Sequence, residues 1–248
     1  MSALRLSAVA LALAASFALP AHAASAVSAS MSLQARVSVG DATDSNLSTD
    51  AWGVPLSSLG IDATASLLEP GGFAFSAGFG NASWASANLG GVSFEGYGWT
   101  IDSPGIRASA DLNSALPDWQ YTFMAGASDG SLAMGYDVFG SGNTFGLWGW
   151  SIAVSGGPEG LQQLPVSNAF DPTASGLFTA SLTPGNLYTV SLANNANIFG
   201  EFGIVADGRM NGNFRWEIRP VPEPQTYAML ALGLACIGVV ARRRREPR

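Results

Sequence analysis

Val27-Ser28-Ala29-Ser30-Met31-Ser32-Leu33-Gln34-Ala35-Arg36-Val37-Ser38-Val39 places an apolar residue at every odd position and a polar one at every even position. Side chains of an extended chain point alternately to its two faces, so this stretch reads as a β-strand with one face turned to a core. A helix of the same length would spread those apolar residues around its whole circumference.

The alternation recurs along the chain. It is seen at Phe73, Phe75, Ala77 and Phe79, at Ile106, Ala108, Ala110 and Leu112, and at Trp119, Tyr121, Phe123 and Ala125. It returns at Leu132, Met134, Tyr136 and Val138, across Leu177 to Leu182 and Leu187 to Leu192, and at Phe214, Trp216 and Ile218. Turn-forming clusters separate these runs, among them Glu69-Pro70-Gly71-Gly72, Asp102-Ser103-Pro104-Gly105, Gly140-Ser141-Gly142-Asn143, Thr183-Pro184-Gly185-Asn186 and Asp207-Gly208. Asp41 to Asp50 and Asn194-Asn195-Ala196-Asn197 read as polar loops. No stretch between the two chain ends keeps a helical period over three turns. The pattern predicts an all-β fold of about ten to twelve short strands. Its expected form is a two-sheet antiparallel β-sandwich, jelly-roll-like, with a signal helix before it and a single apolar helix after it.

The ends have a different character. Arg5 precedes an apolar run from Leu6 to Leu19, and Pro20 and the small-x-small triplet Ala21-His22-Ala23 follow. This is the layout of a cleaved signal peptide, expected over residues 1–23. About 14 apolar residues at 1.5 Å each extend about 21 Å, short of a hydrocarbon core of about 30 Å. At the other end, Ala228 to Ala241 carries no charge, and Arg242, Arg243, Arg244 and Arg245 follow at once. Four adjacent guanidinium groups resist translocation, so the expected orientation leaves them in the cytoplasm as a stop-transfer cluster. The expected division is therefore a signal peptide at 1–23, an exported sandwich at 24–219 and a sorting segment at 220–248.

Val221-Pro222-Glu223-Pro224-Gln225-Thr226-Tyr227-Ala228-Met229-Leu230, followed by Gly233-Leu234 and the arginine block, resembles the PEP-CTERM sorting signal of Gram-negative bacteria. Motif, apolar span and basic cluster stand in order. The resemblance implies recognition of Pro222, Glu223 and Pro224 by an exosortase, a membrane-embedded processing enzyme that removes the tail. It also implies transient membrane residence and delivery to the cell surface or beyond. The two prolines suit such a cleft, because each fixes φ near −65° and disfavours helix in the residue before it. Residues 176–218 show a more diffuse similarity to exported domains that precede such tails, and that similarity brings no active site with it.

Charge and composition narrow the function. The whole chain carries a net charge of −7, but between the two ends five arginines face sixteen acids, and no lysine occurs anywhere. Such a surface repels nucleic acid, and P-loop or Schiff-base chemistry lacks its lysine. The single histidine is His22 and the single cysteine is Cys236, one in each terminal segment. The exported part therefore has no residues for a Ser-His-Asp or Cys-His nucleophile, for a histidine or cysteine zinc site, or for a disulfide.

Three constellations remain. Asp41, Asp44 and Asp50, in the polar stretch Asp-Ala-Thr-Asp-Ser-Asn-Leu-Ser-Thr-Asp, offer oxygens of the kind calcium takes, although Asx and Ser residues form turns without any ion. Glu95, Asp102, Glu201 and Asp207 are candidate carboxylates for glycoside hydrolysis, with nothing in the sequence to pair them. Trp148 and Trp150, two of seven tryptophans, fall on one face of a strand. They form either a platform for sugar rings or part of a sandwich core. The reading drawn from all this is a non-catalytic exported surface or extracellular-matrix protein, structural or adhesive in the exopolysaccharide layer. The alternative is a carbohydrate-binding module on the cell surface. No cofactor is expected beyond the calcium candidate.

Overall fold

The computed structural model of the protein describes residues 23–52, 58–112, 118–142, 146–167, 173–200, 205–220 and 233–234. The expected signal peptide helix lies outside these residues, as does the C-terminal apolar helix apart from 233–234. Among the described residues the chain forms two antiparallel sheets packed face to face around one hydrophobic core.

The first sheet contains β1 (Ser25–Val39), β2 (Ala42–Trp52), β6 (Ala108–Leu112), β7 (Trp119–Met124), β9 (Gly146–Gly156), β10 (Gln162–Pro165) and β12 (Leu187–Gly200). Their order is β10-β9-β12-β6-β1-β2, and β7 shares with β6 the lane between β1 and β12. The second sheet contains β3 (Leu59–Glu69), β4 (Gly72–Ser86), β5 (Leu89–Asp102), β8 (Asp129–Gly142), β11 (Ala174–Ser181) and β13 (Val205–Pro220), in the order β11-β8-β13-β5-β4-β3.

The opening stretch behaves largely as its alternation dictates. Ala29, Met31, Leu33, Ala35, Val37 and Val39 are all buried in the core. Val27 is the exception, exposed at 43%. A β-bulge between Ala26 and Ser28 in the pairing with β7 explains it: the extra residue shifts the strand by one, so Ala24 and Ala26 turn to the core in its place.

Four segments read as loops or turns are strand. Ala42 to Trp52 pairs along β1, from Val39↔Ala42 to Ala29↔Trp52. Asn194 to Asn197 lies inside β12, paired on one flank with β9, and Asp207-Gly208 lies inside β13, paired with β5. The Gly140 to Gly142 cluster is likewise the end of β8, paired with β13. Turn propensity is a local preference of about 1 kcal/mol, and ladder pairing, on one flank for the edge strand β2 and on both flanks for β12 and β13, outweighs it.

The aromatic face of β4 is inverted relative to expectation. Its buried positions are Ala74, Ser76, Gly78, Gly80 and Ala82 together with Ala77 from the opposite face, while Phe73 and Phe75 are half-buried and Phe79 is exposed at 46%. Space decides this. A Cβ on Gly78 would lie 2.6 Å from a Leu33 methyl, and one on Gly96 of β5 would lie 2.5 Å from a Leu112 methyl. Long side chains of the first sheet fill the gap around Gly78 and Gly96, so there β4 and β5 present small residues inward and aromatic ones outward. The bulk of the core sits elsewhere, where Trp119 and Trp216 lie with ring centroids 4.8 Å apart and Tyr121 packs 5.7 Å from Trp216.

Side chains seal both lateral edges. On one side, the Ser66 and Gly60 amides of β3 donate to the Asp44 and Asp50 carboxylates of β2, at 3.3 and 3.2 Å. On the other, the Gln162 amide of β10 accepts from the Ser181 N–H of β11 and donates to its carbonyl. Edge strands left open are templates for aggregation, and these contacts occupy three backbone N–H groups and one carbonyl along β3 and β11.

Candidate functional site

Each candidate residue now has a place. Asp44 and Asp50 sit six residues apart on an extended strand, about 20 Å at 3.3 Å per residue, and each is engaged by a backbone amide of β3. Asp41 immediately precedes β2. The stretch read as a calcium loop is thus a strand that spreads its acids apart. Among the described residues no three His, Cys, Asp or Glu side chains gather into a metal-binding group.

Trp150 is 4% exposed and packs between Phe94 and Phe214, with ring centroids 5.4 and 5.2 Å away. A ring enclosed in this way offers no face to a sugar. The backbone of Trp148 pairs with Ala196 in β12, and its side chain lies outside the described residues.

The carboxylates are separated too. Glu95 forms an ion pair with Arg209 on the outside of the second sheet. Asp102 is buried on the inner side, and Glu201 lies outside the described residues. Asp207 stands opposite Trp99, whereas Glu95 stands opposite Asn211. Four residues of strand put about 13 Å between those positions, beyond the separations that serve glycoside hydrolysis.

What the sequence reading missed is the outer face of the second sheet. In register, Trp99 is flanked by Phe75 and Asp207, Tyr97 by Ala77 and Arg209, Glu95 by Phe79 and Asn211, and Ser93 by Asn81 and Asn213. Tyr97 is exposed at 41% and Trp99 at 39%. Phe73 meets Trp99 edge-on at 5.3 Å, and Phe75 lies 5.6 Å from Tyr97, so neighbouring rings fix the orientation of both exposed ones. Grooves run alongside. One of about 530 Å³ is lined by Tyr97, Trp99, Asp207 and Arg209, and one of about 730 Å³ by Asn81, Ser93, Asp137, Asn213 and Arg215. Arg215 stands between Gly91 and Gly135 on the two adjacent strands, which leaves bare backbone as the groove floor. The signal for this face is Glu-Gly-Tyr-Gly-Trp-Thr-Ile at 95–101, an alternation of large residues with glycine or threonine. It marks a strand, but not which side of it faces water.

The outer face of the first sheet is polar by comparison. Ser38 and Ser109 pair through their hydroxyls at 2.9 Å, and Thr122 and Thr189 at 3.0 Å. Arg36, Asp111 and Asn197 form one cross-strand row. Burial raises the Asp111 pKa, with the Arg36 charge and the Asn197 amide opposing it.

β13, a central strand of its sheet, ends at Pro220 and leads directly into the C-terminal segment. Residues 220–245 match the PEP-CTERM protein-sorting motif. The chain carries a PEP-CTERM tail. A PEP-CTERM tail marks a protein for recognition by an exosortase and for export across the membrane to the cell surface or the extracellular space. Its motif residues Pro222, Glu223 and Pro224 and its cluster Arg242 to Arg245 lie outside the described residues. Among the described residues no helix is long and apolar enough to cross a membrane.

No curated protein sequence matches the chain. Among solved structures, one of the infectious bursal disease virus Gt strain aligns at a TM-score of 0.20 and 11% identity, over 87% of this chain and 74% of that one. One of the Gx strain of the same virus aligns at 0.14 and 12%, over 88% of each chain. Likenesses this slight bear on neither fold nor function.

Proposed function

We propose that the PEP-CTERM-tailed protein is a non-catalytic component of the cell surface or extracellular matrix, structural or adhesive in the exopolysaccharide layer. The tail at residues 220–245 carries this reading, because it sends the folded sheets to the exterior. Composition supports the non-catalytic part: outside the two terminal segments the sequence has no histidine, cysteine or lysine. The sealed sheet edges suit a protein that must stay folded and unaggregated outside the cell.

A second reading, carbohydrate binding, is favoured by the exposed Tyr97 and Trp99 beside polar grooves.

Intact-mass analysis of protein recovered from the culture medium tests the sorting. A product beginning at Ala24 and ending near Pro224 supports it. A chain that keeps its C-terminal arginines and remains in the membrane fraction overturns it. A deletion strain with unchanged matrix cohesion would count against the structural role.

A further inference from the structure

We infer that the outer face of the second sheet binds a neutral polysaccharide, with Trp99 and Tyr97 as stacking platforms and the Asn81-Ser93-Asn213 row as the strip that meets its hydroxyl groups. This deepens the carbohydrate reading above and rests on the export of the protein.

The ring faces come first. Trp99 and Tyr97 are both more than a third exposed, two residues apart on one strand, and each is held by a phenylalanine of β4. An aromatic face held rigidly on a strand loses little freedom on binding and suits the C–H-rich face of a sugar ring. Polar groups follow on the same face. From the Trp99 row to the Ser93 row is six residues, about 20 Å of strand, the reach of several sugar units. At the far end, Asn81, Ser93 and Asn213 lie side by side across three strands and line the 730 Å³ groove. Amide side chains both donate and accept, as binding of hydroxyl groups requires.

Charge selects the class of polymer. Glu95 and Arg209 form an ion pair, and the other charged residues lining the two grooves are Asp137, Asp207 and Arg215. The balance is acidic on a protein already acidic overall, which disfavours anionic polysaccharides. A protein partner is disfavoured for a separate reason: the aromatic positions are interrupted by an ion pair and by amides, whereas the centre of a protein interface is depleted of charge.

The test is affinity electrophoresis of the exported protein, as secreted, through gels containing neutral glucan, mannan, galactan or xylan, an anionic uronate polymer, or the producing cell's own neutral polysaccharide. Retardation is expected on at least one neutral polymer and not on the uronate. Trp99→Ala is expected to weaken it about tenfold, the size of one lost stacking contact, while Trp99→Phe keeps most of it. Circular dichroism and melting curves establish that each variant is folded, and Tyr97→Ala serves as an independent second variant. No retardation of folded wild type on any neutral polymer overturns the inference, as does retardation untouched by both alanine variants. Retardation on the uronate alone, or self-association that protects Trp99 from quenching, also overturns it. Correct processing by intact mass alongside lost retardation would sink this inference and leave the export reading standing.

Discussion

The side-chain amide of Gln162 accepts from the Ser181 N–H at 2.9 Å and donates to the Ser181 carbonyl at 3.0 Å, joining the edge strand of one sheet to the edge strand of the other. A primary amide has the same donor and acceptor pair as a peptide group, so it completes a two-bond ladder step where no backbone strand reaches.

Replacing Gln162 with glutamate keeps the acceptor and removes the donor, leaving a carboxylate against a carbonyl. Gln162→Glu is expected to lower stability by about 1 kcal/mol, the usual net value of an exposed hydrogen bond. Urea unfolding checks this through a lower midpoint at unchanged slope. A midpoint equal to wild type would show that the contact contributes nothing.

Asp118 gives the fold an uncommon pH response. Its carboxyl is buried, accepts the Asn194 N–H, and leaves Oδ1 without a partner among the described residues. Desolvation raises its pKa from 3.8 to about 8, with the hydrogen bonds from Asn194 among the opposing effects. Between those values the folded state holds a proton that the unfolded chain has released. Its contribution to stability is therefore complete below about pH 4 and declines as pH rises towards about 8. Asp118→Asn removes the decline. Melting temperatures from pH 4 to 8 should fall less in the variant than in wild type; parallel curves would refute the assignment.

Glu159 acts in the opposite sense. Its carboxylate accepts from the Thr183 hydroxyl at 2.5 Å and the Tyr188 hydroxyl at 2.6 Å, and these bonds lower its pKa. The stability it contributes is present above its unfolded value and is lost as pH falls through the folded one. Tyr188→Phe removes one of these bonds together with the Thr183 N–H bond that the same hydroxyl accepts at 2.6 Å, so the difference in melting temperature from wild type should be largest at neutral pH and narrow, without vanishing, in acid. A constant difference across that range would mean that Glu159 is not involved.

Gly90 is fixed by a neighbour. A Cβ there would lie 2.2 Å from the buried Trp216 ring and 2.7 Å from the Ser83 carbonyl oxygen. Gly90→Ala must displace ring or backbone, at about 1–3 kcal/mol. Thermal melting should show a clear fall. Gly135→Ala, whose new methyl would be no closer than 3.9 Å to its neighbours, should change it little.

Calcium has no gathered site in β2. Adding calcium, or removing it with EGTA, should leave the melting temperature unchanged, because Asp44 and Asp50 already bond β3 and diverge along the strand. A rise of several degrees with calcium would require a site elsewhere in the chain.

Period-two patterning made the class of fold legible, because alternation is a property of each strand by itself. Met31 to Val39 and Trp119 to Phe123 read correctly, since each runs straight through the thick part of the core. The polar strand β2 was illegible because its identity comes from pairing with β1. The glycines of β5 hid a strand whose inner face is filled by Leu112 and Met210 from other strands. The candidate site suffered most: the sequence left Trp150 open as platform or core and the structure encloses it between Phe94 and Phe214, while Trp99 went unremarked and is exposed.

By itself the chain determined its export and its all-β character, since a sorting motif is read as linear sequence and alternation is local. Only the tertiary structure decided which side of β4 and β5 faces water. That choice belongs to the gap between the sheets: where Leu33 and Leu112 already fill it, glycine and alanine turn inward and the aromatic rings are left outside.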